Sequence, residues 1–398
     1  MVCLSMAKSS ISPAILGGKT AFDTPVKLVD ITFSNKKQIL VRIGETLDSS
    51  LLTNNGKYLV EFEEALSRFV GVPAVAVANA TFGLILLFKT AGLRGKVIMP
   101  SFTFCATAHS AVWAGLEPVF ADIDEKTFTL DVNSVKKLLT PDVCAIVGVH
   151  TFGNPCAIEE LEKLAKSKGI RLFFDAAHAF GVMYHSKPIG SFGDAEVFST
   201  HATKTLVTGE GGFVSSNDKK IIDGVKRGRN FGFNDDNSDA LFCGTNAKMT
   251  EIGAILGLDS LQAGDEMIKH RNSIANMFRK RLSNIPGLRL QEIREGAVSS
   301  YCFFGMLVIP QEFGLNRDEL AQALAAENIM TRKYFFPPLH QMTAYKKHAA
   351  SSLPATEFVS QHIICLPIQS KMTMQIAEGI CDAIEAIHEH AAAIHHAL

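Results

Sequence analysis

Charge of one sign is scarce in this sequence: 39 Lys and Arg stand against 40 Asp and Glu in 398 residues, with no long basic or acidic run. Without such a field, neither nucleic acid nor an anionic membrane is an expected partner, which leaves small molecules. Paired cysteines are missing too. The eight that occur, at positions 3, 105, 144, 156, 243, 302, 365 and 381, form no CxxC pair and no dense framework. Reduced thiols and a cytoplasmic location are therefore expected. No apolar stretch suits a bilayer crossing, since the longest, residues 74–88, is interrupted by Asn79 and Thr81. The opening MVCLSMAKSSISPAILGG lacks a basic region leading into a sustained apolar run, so a secretory signal is not expected.

Apolar residues, by contrast, make up 47% of the chain, enough for a large core and for two or three domains. Between residues 60 and 215, apolar runs (AVAVAN, KVIMP, LEPVFADI, CAIVGVH, IRLFFDAAH, AEVFST, GGFVSS) alternate with helical patterns. That alternation predicts an α/β unit whose largely parallel sheet is covered on both faces. Helical spacing after Thr250 leads into a smaller α+β unit. Its expected strands are SYCFFGMLVI, IMTRKYFF and IICLPI, with a helix starting at Asn316 on a capping box closed by Glu319 and a last helix running from Thr373 nearly to the end. The expected division is an irregular arm over residues 1–45, a large domain over 46–263 and a smaller one over 264–398.

In a parallel sheet, ligands sit beyond the carboxyl ends of the strands, so the polar residues that close apolar runs come first. Asn79 to Thr81, Pro100 to Thr103, His150, Asp175 and Ser199 all do so. Asp175 ends an apolar strand, where an unpaired carboxylate is costly and wants a cation, unless it caps the next helix. Lys204 lies between two apolar runs in a loop rich in hydroxyls and glycine, STHATKTLVTGEGG. A lysine so placed suits Schiff-base chemistry, although a surface loop is the plainer explanation for the lysine alone. Taken together, a Schiff-base lysine, a carboxylate for a pyridinium nitrogen, and hydroxyls with amides for a phosphate form the set that pyridoxal 5′-phosphate (PLP) chemistry requires.

MPSFTFCATAHS, FFDAAHAFG, GSFGDAEVFSTHATKTLVTGEGG and GTNAKMTEIGAILGLDSLQ, in this order, resemble the DegT/DnrJ/EryC1/StrS aminotransferases. The resemblance runs from LTNNGKYLVEFEEAL through YFFPPLHQMTAY to IICLPI. It implies the fold of the PLP-dependent transferases (aspartate aminotransferase fold type I). It also implies amino transfer from L-glutamate to a nucleotide-linked keto-6-deoxysugar, closest to enzymes that aminate C4 of a dTDP-sugar. By the same resemblance, Lys204 binds the cofactor aldehyde and Asp175 its pyridine nitrogen, with His178 near the ring hydroxyl. Ser199 and the Ala80-Thr81 turn take the phosphate, and Phe104 stacks on the ring. Asn246 reaches the phosphate from a neighbouring subunit, which implies a homodimer with shared sites. His340 is placed near the substrate. Three positions depart from the pattern: Thr200 in FSTH, Lys248 in NAK and Phe231 in RNFG.

Rival readings are a sugar dehydratase of the same family, a catalytically silent PLP-binding regulatory protein, and acceptors that are 3-keto-sugars or cyclitols. The dehydratases replace the lysine by histidine, and Lys204 argues against them. His201 is read equally as a structural hydrogen bonder. The spacing of His388, His390, His395 and His396 has no i,i+4 pair, so a solvated helix end is expected there and no metal.

Overall fold

The computed structural model describes residues 12–31, 33–348 and 352–398. In chain order the strands are β1 (Ala74–Val77), β2 (Lys96–Pro100), β3 (Glu117–Ala121), β4 (Val143–Val149), β5 (Arg171–Asp175), β6 (Met183–Tyr184), β7 (Lys187–Pro188), β8 (Ala195–Ser199), β9 (Gly212–Ser215), β10 (Leu288–Leu290), β11 (Ala297–Val298), β12 (Phe304–Val308) and β13 (Ile363–Leu366). Seven of them form the main sheet in the order β1-β9-β8-β5-β4-β2-β3. Pairing is parallel from β8 to β3, and β9 runs antiparallel to both of its neighbours.

The apolar runs are continuous because both faces of the sheet are covered. Alternate residues of β1 enter different cores: Ala74 and Ala76 pack on one side, Val75 and Val77 on the other. The helix Lys57–Val70 buries Tyr58, Leu59, Phe62, Leu66 and Val70, a stripe at helical spacing, against the first core. The helix Ala80–Thr90 covers the opposite face with Leu84, Leu87 and Phe88.

A smaller antiparallel sheet, β10-β12-β13, packs against the helices Gly264–Leu282, Arg317–Ala326 and Met374–Glu389 through Ile274, Phe278, Leu320, Leu324, Ile380 and Ile384. The capping box at Asn316 and Glu319 is formed. Two expected strands map onto β12 and β13, but IMTRKYFF makes only isolated bridges, Val26 with Ile329 and Arg332 with Cys365. Successive strand residues point to opposite faces. Tyr334 and Phe335 instead both line the same cavity, and β10 takes the third place in the sheet. The last helical region breaks at His390 between Met374–Glu389 and Ala391–Ala397.

The irregular arm also ends earlier than expected, because Asn35 caps a helix over Lys36–Ser49. Before it, the chain is tied down by carboxylates. Glu327 accepts the amides of Ala14 and Ala21 at 2.7 Å each, and Asp259 accepts those of Ser34 and Asn35 at 2.7 and 2.8 Å. Among the described residues, no helix is long and apolar enough to cross a membrane, and the seven described cysteines are free thiols.

Candidate active site

The carboxyl ends of β1, β2, β5 and β8 open into one cavity of about 290 Å³. It is lined by Lys204, Asp175, His178, Ser199, Ala80, Thr81 and Phe104. Seven of the nine residues singled out from the sequence therefore meet at one place.

Lys204 sits in the loop joining β8 to β9. Ladder bonds from Thr200 N to Gly211 O and from Ala202 N to Gly209 O tighten this loop, and a 2.7 Å contact joins the Thr200 and Thr208 hydroxyls. Gly211 is needed there because a Cβ would fall 2.2 Å from Thr208 Oγ1 and 2.4 Å from Thr200 Oγ1. The Lys204 ammonium lies 5.3 Å from the centre of the Phe303 ring. Desolvation pushes its pKa below the ordinary lysine value, opposed by Cys302 and Asp175. A lowered pKa leaves more free amine at neutral pH, as a nucleophile requires.

Asp175 is buried at the end of β5. Its Oδ2 accepts from Thr107 Oγ1 at 2.7 Å and its Oδ1 from the Ala177 amide at 3.1 Å. Burial raises its pKa, while Thr107, Ala177, Lys204 and His150 pull it down. No ion pair to Asp175 forms among the described residues, so the carboxylate faces the cavity with its need for a cation unmet. Thr103 extends the relay, its hydroxyl 3.0 Å from that of Thr107. The sequence reading passed over Thr107; its position in CATAHS, one turn past the strand-end cluster, was the available signal.

His178 is buried and packs parallel to Phe335, with ring centres 5.9 Å apart. Its Nδ1 accepts the Phe152 amide at 3.3 Å. Desolvation and the nearby Lys204 charge hold its pKa well below the ordinary value. The imidazole is thus neutral, and the bond at Nδ1 assigns the proton to Nε2 as a donor.

Opposite, the first turn of the helix Ala80–Thr90 presents amides that the helix itself cannot satisfy. The cap Asn79 accepts the amide of Phe82 through its side chain and that of Gly83 through its carbonyl, which leaves Ala80 and Thr81 facing the cavity. Gly212 lets this turn come close, since a Cβ would lie 2.6 Å from Ala80 N. A helix N-terminus of this kind is an anion site. Phe104 is 58% exposed at the cavity mouth, an aromatic face open to a flat ligand. A cationic heterocycle at Asp175, an aldehyde at Lys204 and a phosphate at the helix start would together satisfy this donor set, so the residues present fit PLP.

Two expected residues lie elsewhere. Asn246 is exposed outside the cavity and accepts from Lys248 Nζ at 2.7 Å. His340 is buried outside it, with Nδ1 2.7 Å from Ser101 Oγ and Nε2 3.2 Å from Glu357 Oε1. Both ring nitrogens are occupied by the protein, and the residue lies outside the cavity lining. His201, left outside the expected set, lines the cavity and bonds Thr203 Oγ1 at 2.8 Å. At the C-terminus, His388 and His390 bond backbone carbonyls and His395 bonds Glu319. Among the described residues, no group of three metal-ligating side chains assembles.

A model of the DegT/DnrJ/EryC1/StrS aminotransferase family matches residues 34–385. The chain is 35% identical to dTDP-4-amino-4,6-dideoxy-D-glucose transaminase of Shigella dysenteriae over 338 residues, 84% of this chain and 91% of that one. It is 30% identical to GDP-perosamine synthase of Vibrio cholerae over 354 residues, 86% and 94% of the two chains. The crystal structure of DesI, determined in the presence of its TDP-sugar product, matches with a TM-score of 0.89 at 38% identity, covering 97% of each chain. The expected fold, that of the type I PLP-dependent transferases, is the one these neighbours share.

Proposed function

Because the chain belongs to the DegT/DnrJ/EryC1/StrS aminotransferase family, we propose that it moves an amino group from L-glutamate to a nucleotide-linked keto-6-deoxysugar, with C4 of a dTDP-sugar as the acceptor carbon. The observation that carries this reading is the meeting of Lys204 and Asp175 in one cavity, opposite the open helix start at Ala80. Similarity to the Shigella dysenteriae transaminase and to DesI supports a dTDP-linked acceptor.

When bound, PLP supplies an electron-withdrawing ring that stabilises negative charge on the carbon losing a proton. Around it, Asp175 holds the ring nitrogen, its charge kept by the Thr107 hydroxyl and the Ala177 amide. His178 donates from Nε2 to the ring oxygen. Ser199 and the amides of Ala80 and Thr81 hold the phosphate, and Phe104 covers one face. Lys204 Nζ is the covalent anchor. With its amine free, Lys204 would be the base that takes the donor's α-proton and later returns one to the sugar carbon.

The proposal includes a homodimer with shared sites. Asn246 and Lys248 stand outside their own chain's cavity. Leu40, Val41 and Leu47 are exposed on the helix Lys36–Ser49, with Leu51 and Leu52 exposed just beyond it, and an apolar patch of this kind marks a protein contact. Work in the cytoplasm, alongside soluble nucleotide sugars and glutamate, completes the reading.

Two measurements test it. Borohydride reduction and peptide mapping should place the PLP adduct on Lys204, and the Lys204→Ala variant should lose both the adduct and the imine absorbance. With the PLP form, L-glutamate should yield 2-oxoglutarate, and a panel of nucleotide keto-sugars should give one aminated product whose position NMR reads. An adduct elsewhere, or glutamate left unconverted, overturns the reading.

A further inference from the structure

Lys204 also walls a second cavity of about 290 Å³, enclosed by the chain near Asp30, the loop after Lys204, the start of the helix Gly264–Leu282 and the turn at Ser370. Its floor holds two polar groups that the fold leaves poorly served. Arg271 is 3% exposed. Its Nη1 donates to the carbonyls of Tyr301 and Cys302 at 3.0 and 3.4 Å. Its Nε and Nη2 reach only the Ser370 hydroxyl, at 3.4 Å each. No ion pair to Arg271 forms among the described residues, and an unpaired buried cation is costly. Thr205 is the second group: it is 2% exposed, it lines the same cavity, and its hydroxyl has no hydrogen-bond partner among the described residues.

The lining carries charges of both signs, Lys371 with Asp30 and Glu266, and also His270. His270 is held through Nε2, 2.7 Å from the Met372 carbonyl. A planar guanidinium edge beside a hydroxyl matches a carboxylate, whose two oxygens accept in parallel. The lining carboxylates oppose a dianion such as phosphate and suit a ligand carrying no more than one further charge.

We propose that this cavity is a binding site for a small carboxylate of amino-acid size, seated on Arg271, Thr205 and Ser370. The site is separate from the cofactor cavity and does not depend on the amino-transfer reading. Its carboxylate belongs either to a zwitterion, whose ammonium meets Asp30 and Glu266, or to a dicarboxylate, whose second charge meets Lys371.

Calorimetric titration of the holoenzyme tests it with two probes that cannot enter amino transfer: glutarate, and 5-trimethylammoniovalerate with its blocked amine. Saturable binding of at least one probe is expected. The tighter of the two identifies the class, zwitterion or dicarboxylate. Arg271→Gln should weaken the preferred probe about tenfold or more, and Thr205→Val about threefold or more. Should Arg271→Gln fail to fold, Thr205→Val still decides, because its lost hydroxyl has no partner among the described residues. Absence of saturable binding, or binding unchanged by Thr205→Val, overturns the site. Neither result touches the covalent trapping at Lys204, so the two readings fail separately.

Discussion

Thr107 Oγ1 donates a 2.7 Å hydrogen bond to Asp175 Oδ2, tying the helix Cys105–Trp113 to the end of β5. The bond stabilises the ionised carboxylate against the desolvation that raises its pKa.

Thr107→Val should therefore raise the Asp175 pKa further. Amino transfer needs the carboxylate charged, so as pH falls the variant should lose activity at a higher pH than the parent. A hydrogen bond to a charged group contributes about 1.5–3 kcal/mol, which corresponds to a loss of about 10-fold to 100-fold at the optimum. A pH profile of kcat/KM checks both, and an unmoved acid limb denies Thr107 this role.

Burial depresses the pKa of Lys204 in the folded protein. Between its folded and unfolded values the unfolded chain binds more protons, so this group makes stability rise with pH across that window and fall as pH drops through the folded value. Cofactor-free Lys204→Met should accordingly melt higher than cofactor-free parent protein at neutral pH, and its advantage should shrink as the solution becomes alkaline. Scanning calorimetry across pH reads this directly; an advantage that grows with pH contradicts the sign.

Two of the buried histidines, His178 and His340, separate by role. His178→Phe keeps an aromatic among Phe152, Phe303 and Phe335 but removes both the Nε2 donor and the acceptor of the Phe152 amide, so PLP affinity should drop and stability should fall by about 1 kcal/mol. His340→Leu leaves Ser101 and Glu357 without their partner. It should cost about 1–3 kcal/mol of stability while leaving KM for both substrates nearly unchanged.

Shared sites can be tested by mixing subunits. Asn246→Ala should reduce activity about tenfold or more if its side chain serves the partner's phosphate. Refolding it together with Lys204→Ala should restore about a quarter of parental activity, since half of the random dimers then carry one intact site of two. Activity no higher than the sum of the separate variants places Asn246 outside the partner's site.

Much of this was legible in the chain. Asp175 and Ser199 stood out because a strand covered on both faces reads as an unbroken apolar run, and a polar residue that stops the run marks its ligand-facing end. Lys204 stood out through its neighbours, since the hydroxyls of Thr200 and Thr208 and the glycines at 209 and 211 serve a tight loop. IMTRKYFF was misread because its apolar content satisfies a strand pattern, while the demand that placed Tyr334 and Phe335 together came from a cavity built by distant segments.

Order along the chain thus determined the layered fold, the strand ends and the identity of the lysine and aspartate, because periodicity and punctuation are local properties. Only tertiary structure decided that Thr107 serves Asp175, that His340 bonds Ser101 and Glu357, and that Arg271 lies buried without a counterion among the described residues. These partners are separated by 68, 239 and 17 residues in the first three cases and by no pattern at all in the last. Their pairing arises from how the layers stack, and desolvation turns that placement into charge states and unmet needs that no local window of sequence contains.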